Sequence, residues 1–385
     1  MSRAAGDLVV EEGHLRRFLE GLGAAVGVGG RDLDYFVGGI LEAELSGKSS
    51  HGLSLVPAYV GGIASGAISA RPHLEVLGST GAACVVDGGN GLGHVVLARA
   101  MDRAVEIAGS LGIGLVAVRN SNHAGMLSFA ARRAVASGMV GYVTSGGPAV
   151  MAPWGGREPR LGTSPFAWAM PTGGGFPLVF DAGCSVAARR KIRQAAAANE
   201  AIPESWALDA EGAPTTDPHR ALLGSLVPFS GHKGYGLALV NEVLVCGLAG
   251  GVLAAEVDSP FLRGESEELD SWRIGQIALA INATSLVGSG TFEAAVERII
   301  DSMKSSTPAR EGEPVLIPGE HSWKVAAQRR REGMTVAGSL LRKLNDLAAE
   351  VGAPPLEARS PGGSLGTNLG RGTSVTTEPG TTTDA

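Results

Sequence analysis

Two short segments set a histidine among serine, asparagine and glycine: Ser50-His51-Gly52 and Arg119-Asn-Ser-Asn-His123-Ala-Gly125. An imidazole, with an unperturbed pKa of about 6.5, can hold a proton near neutrality and take it back, as a reversible acid/base step requires. Polar neighbours and glycines around a histidine suit a loop held against a ligand. A histidine that merely hydrogen-bonds a turn would look the same when met singly. Leu161-Gly-Thr-Ser-Pro-Phe166 and Phe229-Ser-Gly-His-Lys-Gly-Tyr-Gly236 are polar stretches framed by glycine in the same manner. Four such loops in one chain point to one site.

Other motifs fail on inspection. Gly47-Lys48-Ser49 looks like the end of a phosphate-binding loop, but Glu42 stands where the first glycine belongs, and a carboxylate repels phosphate. Ser230-Gly-His-Lys233 matches S-x-x-K without the K-T-G or S-D-N that would accompany it. Gly89-Asn-Gly91-Leu-Gly93 follows a strand and opens a helix, yet His94 occupies the place of the third glycine of a dinucleotide fingerprint. The next strand pattern, Ile113–Arg119, ends in arginine rather than a ribose-reading acid. This reads as a tight turn before a helix, and any nicotinamide site is not of the Rossmann kind. No histidine pair has the i, i+4 spacing of a metal site, so no metal is expected.

The elements that must carry these loops alternate irregularly. Helix patterns cover 11–21, 32–45 with Asp32 as N-cap, 50–70, 95–109, 185–199, 234–250, 291–304 and 321–349. Strand patterns cover 83–87, 113–119, 140–144, 166–170, 178–181, 274–281 and 315–317. No internal repeat and no clean βαβ alternation appears, so an α/β or α+β enzyme is expected. The apolar stretch 234–252 is interrupted by Asn241, Glu242 and glycines, and is expected as a buried helix rather than a membrane span. Residues 353–385 are rich in Pro, Gly, Ser and Thr and are expected as a disordered tail.

Among 385 residues there are 58 glycines, about twice ordinary usage, without the Gly-X-Y period of collagen. With 32 Lys+Arg against 38 Asp+Glu, nothing favours nucleic acid. Arg329-Arg330-Arg331 reads as a solvated helix face. Cys84, Cys184 and Cys246 are odd in number and far apart, which suits reduced thiols; the first residues lack the apolar core of a secretory signal. A cytoplasmic location, with no membrane partner, is the expectation.

Taken in order, the loops resemble the malate/L-lactate dehydrogenase-like family of NAD(P)-dependent oxidoreductases, which is unrelated to the Rossmann-type enzymes of similar name. The likeness runs from about residue 10 to 350. Besides Ser50-His51-Gly52 with Pro57 and Tyr59, it comprises Val86-Asp-Gly-Gly-Asn-Gly-Leu-Gly93, Asn120-Ser-Asn-His123, Pro153-Trp-Gly-Gly156, Gly162-Thr-Ser-Pro165, Asp181 to Ile192, His232-Lys-Gly-Tyr-Gly236 and Ile317-Pro-Gly-Glu320.

The resemblance implies a mixed, largely antiparallel sheet that carries NAD or NADP, flanked by a helical substrate and dimerisation part, in an interlocked homodimer. It implies a helical and catalytic part over residues 1–118, a cofactor part over 119–290, and helices 291–352 returning to the first part. His51 matches the family's proton donor/acceptor, with Ser50 beside it; His123 matches a second loop histidine, placed where nicotinamide and substrate meet. Ala124, Gly125, Thr163, Ser164, Phe180, Asp181, His232, Lys233, Gly319 and Glu320 are implied as cofactor contacts. The substrate is a small molecule: a 2-hydroxy/2-oxo acid, or alternatively a cyclic ketimine of the piperideine/pyrroline-2-carboxylate type. A non-catalytic, ligand-binding relative is a further alternative.

The sequence departs from the pattern at the substrate. Many relatives place an arginine five residues before the loop histidine and another four after it, suited to a carboxylate; here Ser46 and Leu55 stand there. Lys48 offers a charge without the planar fork. Poor use of simple malate or lactate, and a larger or differently charged substrate, are therefore expected. Arg190 stands where relatives often have glycine before Lys191.

Overall fold

The computed structural model describes residues 6–264 and 266–360. Its strands are β1 (Asp7–Val10), β2 (Glu75–Thr80), β3 (Ala83–Gly91), β4 (Ile113–Ser121), β5 (Val140–Ser145), β6 (Phe166–Met170), β7 (Leu178–Ala182), β8 (Ala207–Leu208), β9 (Ser225–Leu226), β10 (Ile274–Ile281) and β11 (Met334–Ala337). Seven of them form one sheet in the order β2-β3-β4-β10-β5-β6-β7. Only β3 and β4 run parallel; every other pairing in this sheet is antiparallel. The mixed, mostly antiparallel sheet expected from the resemblance is thus present.

Its central strands are short-chained and apolar, and helices lie close against them. At Gly114 a Cβ would come within 2.0 Å of the Ala104 carbonyl oxygen, so the helix Gly93–Leu111 packs on β4 at backbone distance. Val116, Val118, Ala278 and Ala280 are buried under it with Val96, Leu97 and Met101. A second apolar core joins the helices Glu12–Ala25, Arg31–Leu45, Val56–Ala64 and Gly338–Val351 through Leu15, Phe18, Phe36, Ile40, Val60 and Leu344. Each such side chain contributes about 1.5–3 kcal/mol on burial.

The antiparallel pairing brings one set of strand ends to the same side. The ends of β4, β5 and β7 and the starts of β6 and β10 meet there, as the registers Ser121↔Ile274, Ser145↔Gln276, Thr144↔Phe166 and Phe166↔Ala182 require. The His123, Thr163 and Asp181 segments all belong to that rim. From the helical part, Arg31–Leu45 ends just before the His51 loop, which faces the same side as two single 3-10 turns, Ser49–His51 and Leu53–Leu55.

Several elements differ from expectation. Gly30, not Asp32, precedes the second helix, and Asp32 lies in its first turn, paired with Arg99 at 3.2 Å. Instead of one helix over 50–70, the two 3-10 turns precede the short helix Val56–Ala64. Residues 315–317 are not a strand. The long terminal helix is two helices, Glu320–Glu332 and Gly338–Val351, because Gly333 takes φ +83° and β11 then pairs with β1. Helix formation over 185–199 starts only at Arg189. The helix His232–Glu242, continued by π-helical Val243–Leu248, is not fully buried: Val240 and Val243 are 56% and 60% exposed. Residues 353–360 do not begin a loose tail. Leu356 is buried with its N–H on Asn345 Oδ1 (2.7 Å), and Arg359 pairs with Val9. The remainder of that expected tail lies outside the described residues.

Candidate active site

A cleft of about 600 Å³ opens at the strand ends, and both loop histidines line it. Their rings lie nearly parallel, with centroids 6.4 Å apart and an interplanar angle of 17°. That separation leaves His51 and His123 as two faces of one space rather than as a bonded pair.

His51 is held from behind. Ser50 Oγ lies 2.8 Å from its Nδ1, so Nε2 is the nitrogen left for a ligand. The turn that carries it is clamped by Glu44, a carboxylate only 2% exposed. Glu44 Oε1 accepts from the Leu53 backbone N–H (2.8 Å) and Oε2 from Ser49 Oγ (2.8 Å). Gly52 lies so near that a Cβ there would be 2.5 Å from Glu44 Oε1, which explains a glycine directly after the histidine. Arg329, from the helix Glu320–Glu332, donates to the Glu44 carbonyl and lies 3.7 Å from its carboxylate. Burial pushes the His51 pKa down; Asp181 opposes this, while the Lys48 and Arg190 charges add to it.

His123 is fixed in one tautomer. Its Nδ1 accepts the Gly125 backbone N–H at 3.3 Å, and a backbone N–H can only donate. The Tyr59 hydroxyl, 2.8 Å from the same nitrogen, therefore also donates, and the neutral ring carries its proton on Nε2. Trp272 abuts the ring edge-on at 5.5 Å. Beneath the loop, the Asn122 side chain donates to the Gly91 carbonyl (3.0 Å) and accepts the Trp272 backbone N–H (2.6 Å), and the Asn122 backbone carbonyl receives Gln276 Nε2 (3.1 Å). Gly93 completes the seat, since a Cβ there would stand 1.8 Å from the Asn122 carbonyl oxygen. The segment 88–93 is therefore the end of β3 and the start of the helix Gly93–Leu111, and a brace for the His123 loop.

Burial pushes His123 down to about 3 and His94, whose ring lies tilted against Tyr59 with centroids 5.3 Å apart, down to about 4. Between these values and about 6.5 the unfolded chain binds protons that the folded chain refuses, so stability rises with pH across that window. The melting midpoint is expected to fall as pH drops from 6.5 toward 4, and His94→Leu to flatten part of that slope. A midpoint independent of pH in this range would contradict the burial of these imidazoles.

Ala124, Gly125, Thr163 and Asp181 line the cleft. Asp181 accepts from the Ser128 N–H (2.9 Å) and hydroxyl (2.6 Å) and lies 3.6 Å from Lys48 Nζ. Arg189 and Lys191 also line it, so its walls hold three basic side chains with Lys48, against Asp181 as the one acid.

A second cavity of about 310 Å³ shares Lys48, Met126 and Asp181 with the cleft and extends to Phe180, Gly319, Trp323, Arg132 and Arg330. The second cavity adds the aromatic rings of Phe180 and Trp323 and the cations Arg132 and Arg330 to the walls the two share. Ser46 lines this second cavity, not the histidine cleft.

Other expected contacts are placed elsewhere. Leu55 is buried in the helical core. Ser164 is buried beneath the rim, its carbonyl accepting from Asn241 (3.2 Å). Glu320 sits between Lys304 (2.9 Å) and Lys324 (2.8 Å), which hold its carboxyl at about 2 and occupy it structurally. His232 and Lys233 are exposed at a helix start near Trp154, outside the two cavities described above. Glu44, Trp272 and Gln276 belong to no motif in the sequence, and Asn122 stands out only within Asn120-Ser-Asn-His123; an acid four residues before a Lys-Ser-Ser-His run was the one available hint to Glu44.

Residues 10–345 match the malate/L-lactate dehydrogenase family. The chain belongs to that family. It is an oxidoreductase, and with the membership comes NAD or NADP as hydride carrier. Its relatives include an L-sulfolactate dehydrogenase from Methanothermobacter thermautotrophicus, 38% identical over 81% of this chain and 88% of the relative. The sulfolactate dehydrogenase structure from Methanocaldococcus jannaschii superposes with a TM-score of 0.82 at 32% identity, over 90% of this chain and 98% of that one. The delta1-piperideine-2-carboxylate reductase from Pseudomonas syringae pv. tomato gives 0.77 at 28% identity, over 88% and 99%. Among the described residues no helix is long and apolar enough to cross a membrane, and no cluster of three or more candidate ligands could hold a metal.

Proposed function

We propose that this enzyme interconverts a 2-hydroxy acid and its 2-oxo acid, with His51 as the proton donor/acceptor and His123 as a hydrogen-bond donor to the substrate oxygen. The facing of these two histidines across a cleft rich in basic side chains carries the reading. NAD or NADP supplies the hydride chemistry when bound. The protein's share is the proton and the charge. His51 gives its Nε2 proton to the oxygen of the reduced substrate and recovers it in the reverse direction. His123 stays neutral at working pH and presents Nε2–H, which stabilises negative charge as it develops on that oxygen. Lys48, Arg189 and Lys191 favour an anionic substrate. Phe180, Asp181 and Gly319 are proposed to line the cofactor, with Thr163, Ala124 and Gly125 at its nicotinamide end.

The relatives' names and the missing loop arginines together favour a 2-oxo acid bearing a second anion, such as a sulfonate, over pyruvate. The experiment is a panel of 2-oxo acids, 3-sulfopyruvate included, against NADH and NADPH, with cyclic ketimines as the rival set. The piperideine-2-carboxylate reductase likeness supports that second reading. Preferred reduction of a ketimine would establish it; efficient use of pyruvate would remove the preference for a second anion, and efficient use of oxaloacetate the expectation that simple malate is poorly used.

We propose a homodimer in the cytoplasm, where three unpaired cysteines suit a reducing setting. The exposed Leu239, Val240, Val243 and Leu248 form an apolar face on one helix that a second copy can cover. Val243→Asp is expected to shift the solution mass to that of a monomer by light scattering; an unchanged mass would put the dimer face elsewhere.

A further inference from the structure

We propose that Arg132 and Arg330 read the 2′-phosphate of the cofactor, so that this enzyme takes NADP(H) in preference to NAD(H). This rests on the reading that Phe180, Asp181 and Gly319 line the cofactor. The cavity of about 310 Å³ shares Lys48, Met126 and Asp181 with the histidine cleft. The two spaces adjoin across those side chains, and the end of a long ligand remote from the histidines has room there. Two aromatic rings stand on the cavity wall partly open, Phe180 at 46% and Trp323 at 42%. Large rings left uncovered beside a cavity offer flat faces to a planar base such as adenine.

The charges around these rings distinguish the two cofactors. A ribose 2′-hydroxyl is selected by a carboxylate left to accept from it, and a 2′-phosphate by guanidinium. The cavity wall holds two acids, and each already faces a cation. Glu42 accepts from Arg132 at 3.0 Å, while Asp181 lies 3.6 Å from Lys48 and accepts from the Ser128 N–H and hydroxyl. The third cation, Arg330, has no acid partner on that wall; it pairs with Glu12 at 3.4 Å, outside the lining. Three cations against two acids leave a surplus positive charge. Both guanidiniums are partly exposed, and their single ion pairs use one nitrogen each, Nη1 of Arg132 and Nε of Arg330. Most of their five donors therefore remain for a ligand. They approach from different elements, the last turns of Ser128–Val135 and Glu320–Glu332. Burial pushes the Glu42 carboxyl up and both arginines pull it back, so both charges lie on the side of the cavity that holds Glu42. Two cations so placed repel one another. A phosphate of nearly two negative charges relieves that repulsion with charge-assisted bonds, whereas a ribose hydroxyl does not.

The test reads binding without turnover. NADPH and NADH are titrated into the full chain by cofactor fluorescence, and 2′,5′-ADP and 5′-AMP are used to displace them. The parent is expected to bind NADPH at least about tenfold tighter than NADH, and 2′,5′-ADP at least about tenfold tighter than 5′-AMP. Arg132→Gln, which keeps a donor for Glu42, and Arg330→Gln are each expected to weaken NADPH and 2′,5′-ADP at least about fivefold. NADH and 5′-AMP should move less than about twofold in the same variants, since they carry no 2′-phosphate. The parent's own preference needs no variant, so the inference stays open to refutation even if one fails to fold. Equal affinity of the parent for the two cofactors overturns it, as does a preference for NADPH that survives both variants. Trp323→Leu separates the inference from the reading beneath it, and is expected to weaken NADPH and NADH alike because both carry adenine. If it does so while the arginine variants leave the ratio of affinities unchanged, the cofactor lies here and the inference alone falls. If Trp323→Leu and Phe180→Leu both leave NADPH and NADH bound as before, the cofactor reading falls with it.

Discussion

Replacing His51 by alanine is expected to lower turnover in both directions at least about a hundredfold, the ordinary share of a positioned acid/base group. Cofactor affinity is expected to hold within about twofold, because the ring's packing partner is Ser50 and its free nitrogen faces the cleft. The pH dependence carries the sign. Oxidation needs the neutral imidazole, and burial holds the His51 pKa below its usual value. Oxidation should therefore stay level at neutral pH and fall only as pH drops through that lowered value. Reduction needs the imidazolium and should fall as pH rises through the same value. Both limbs should vanish in the alanine variant. Stopped-flow kinetics over pH 4–9 check this, and an alanine variant that keeps its turnover would take His51 out of the mechanism. His123→Ala should also slow the reaction but leave these limbs in place, since a ring held near 3 does not titrate there.

Glu44→Ala is expected to be the most damaging change away from the reacting atoms. It removes the acceptor of the Leu53 N–H and the Ser49 hydroxyl and the counter-charge of Arg329 in a fully enclosed place. Leaving those groups unpaired should cost about 2–4 kcal/mol of folding stability. Turnover should fall about tenfold or more even where the protein remains folded, because the turn that aims His51 loses its clamp. Denaturant unfolding gives the first quantity, and kcat on the folded fraction gives the second. Glu44→Gln, which fills the same space, should restore much of the stability and less of the activity. A stable, fully active alanine variant would show that the loop keeps its shape unaided.

Much of the fold was legible because periodicity and β-branching are local. Phe166–Met170, Ile274–Ile281 and Thr291–Lys304 fall where their patterns place them. What failed locally was decided by partners distant in sequence. Residues 321–349 have a continuous helical pattern, yet β11 interrupts it, because β1 offers a ladder that only the folded chain presents. The Gly89–Gly93 turn invited a phosphate reading, but its glycine at 93 exists for the carbonyl of Asn122. Leu55 stands where relatives place an arginine and Glu320 matches a family position, yet packing sets the first in the core and the second between two lysines.

The sequence by itself determined the chemistry available here: two histidines in glycine-framed polar loops, no metal set, no Rossmann fingerprint, and a family pattern continuous over most of the chain. It also determined what was missing, the arginines of the His51 loop. The tertiary structure alone decided how those residues are arranged. It set His51 against His123 at 6.4 Å, fixed the His123 tautomer through Gly125 and Tyr59, and brought Arg190 to the Ser50 carbonyl from 140 residues away. The reason is physical. Residue type fixes which protons and charges a chain can offer, whereas tautomer, pKa and fork geometry depend on burial and on neighbours that meet only when the sheet and the helical core close around them.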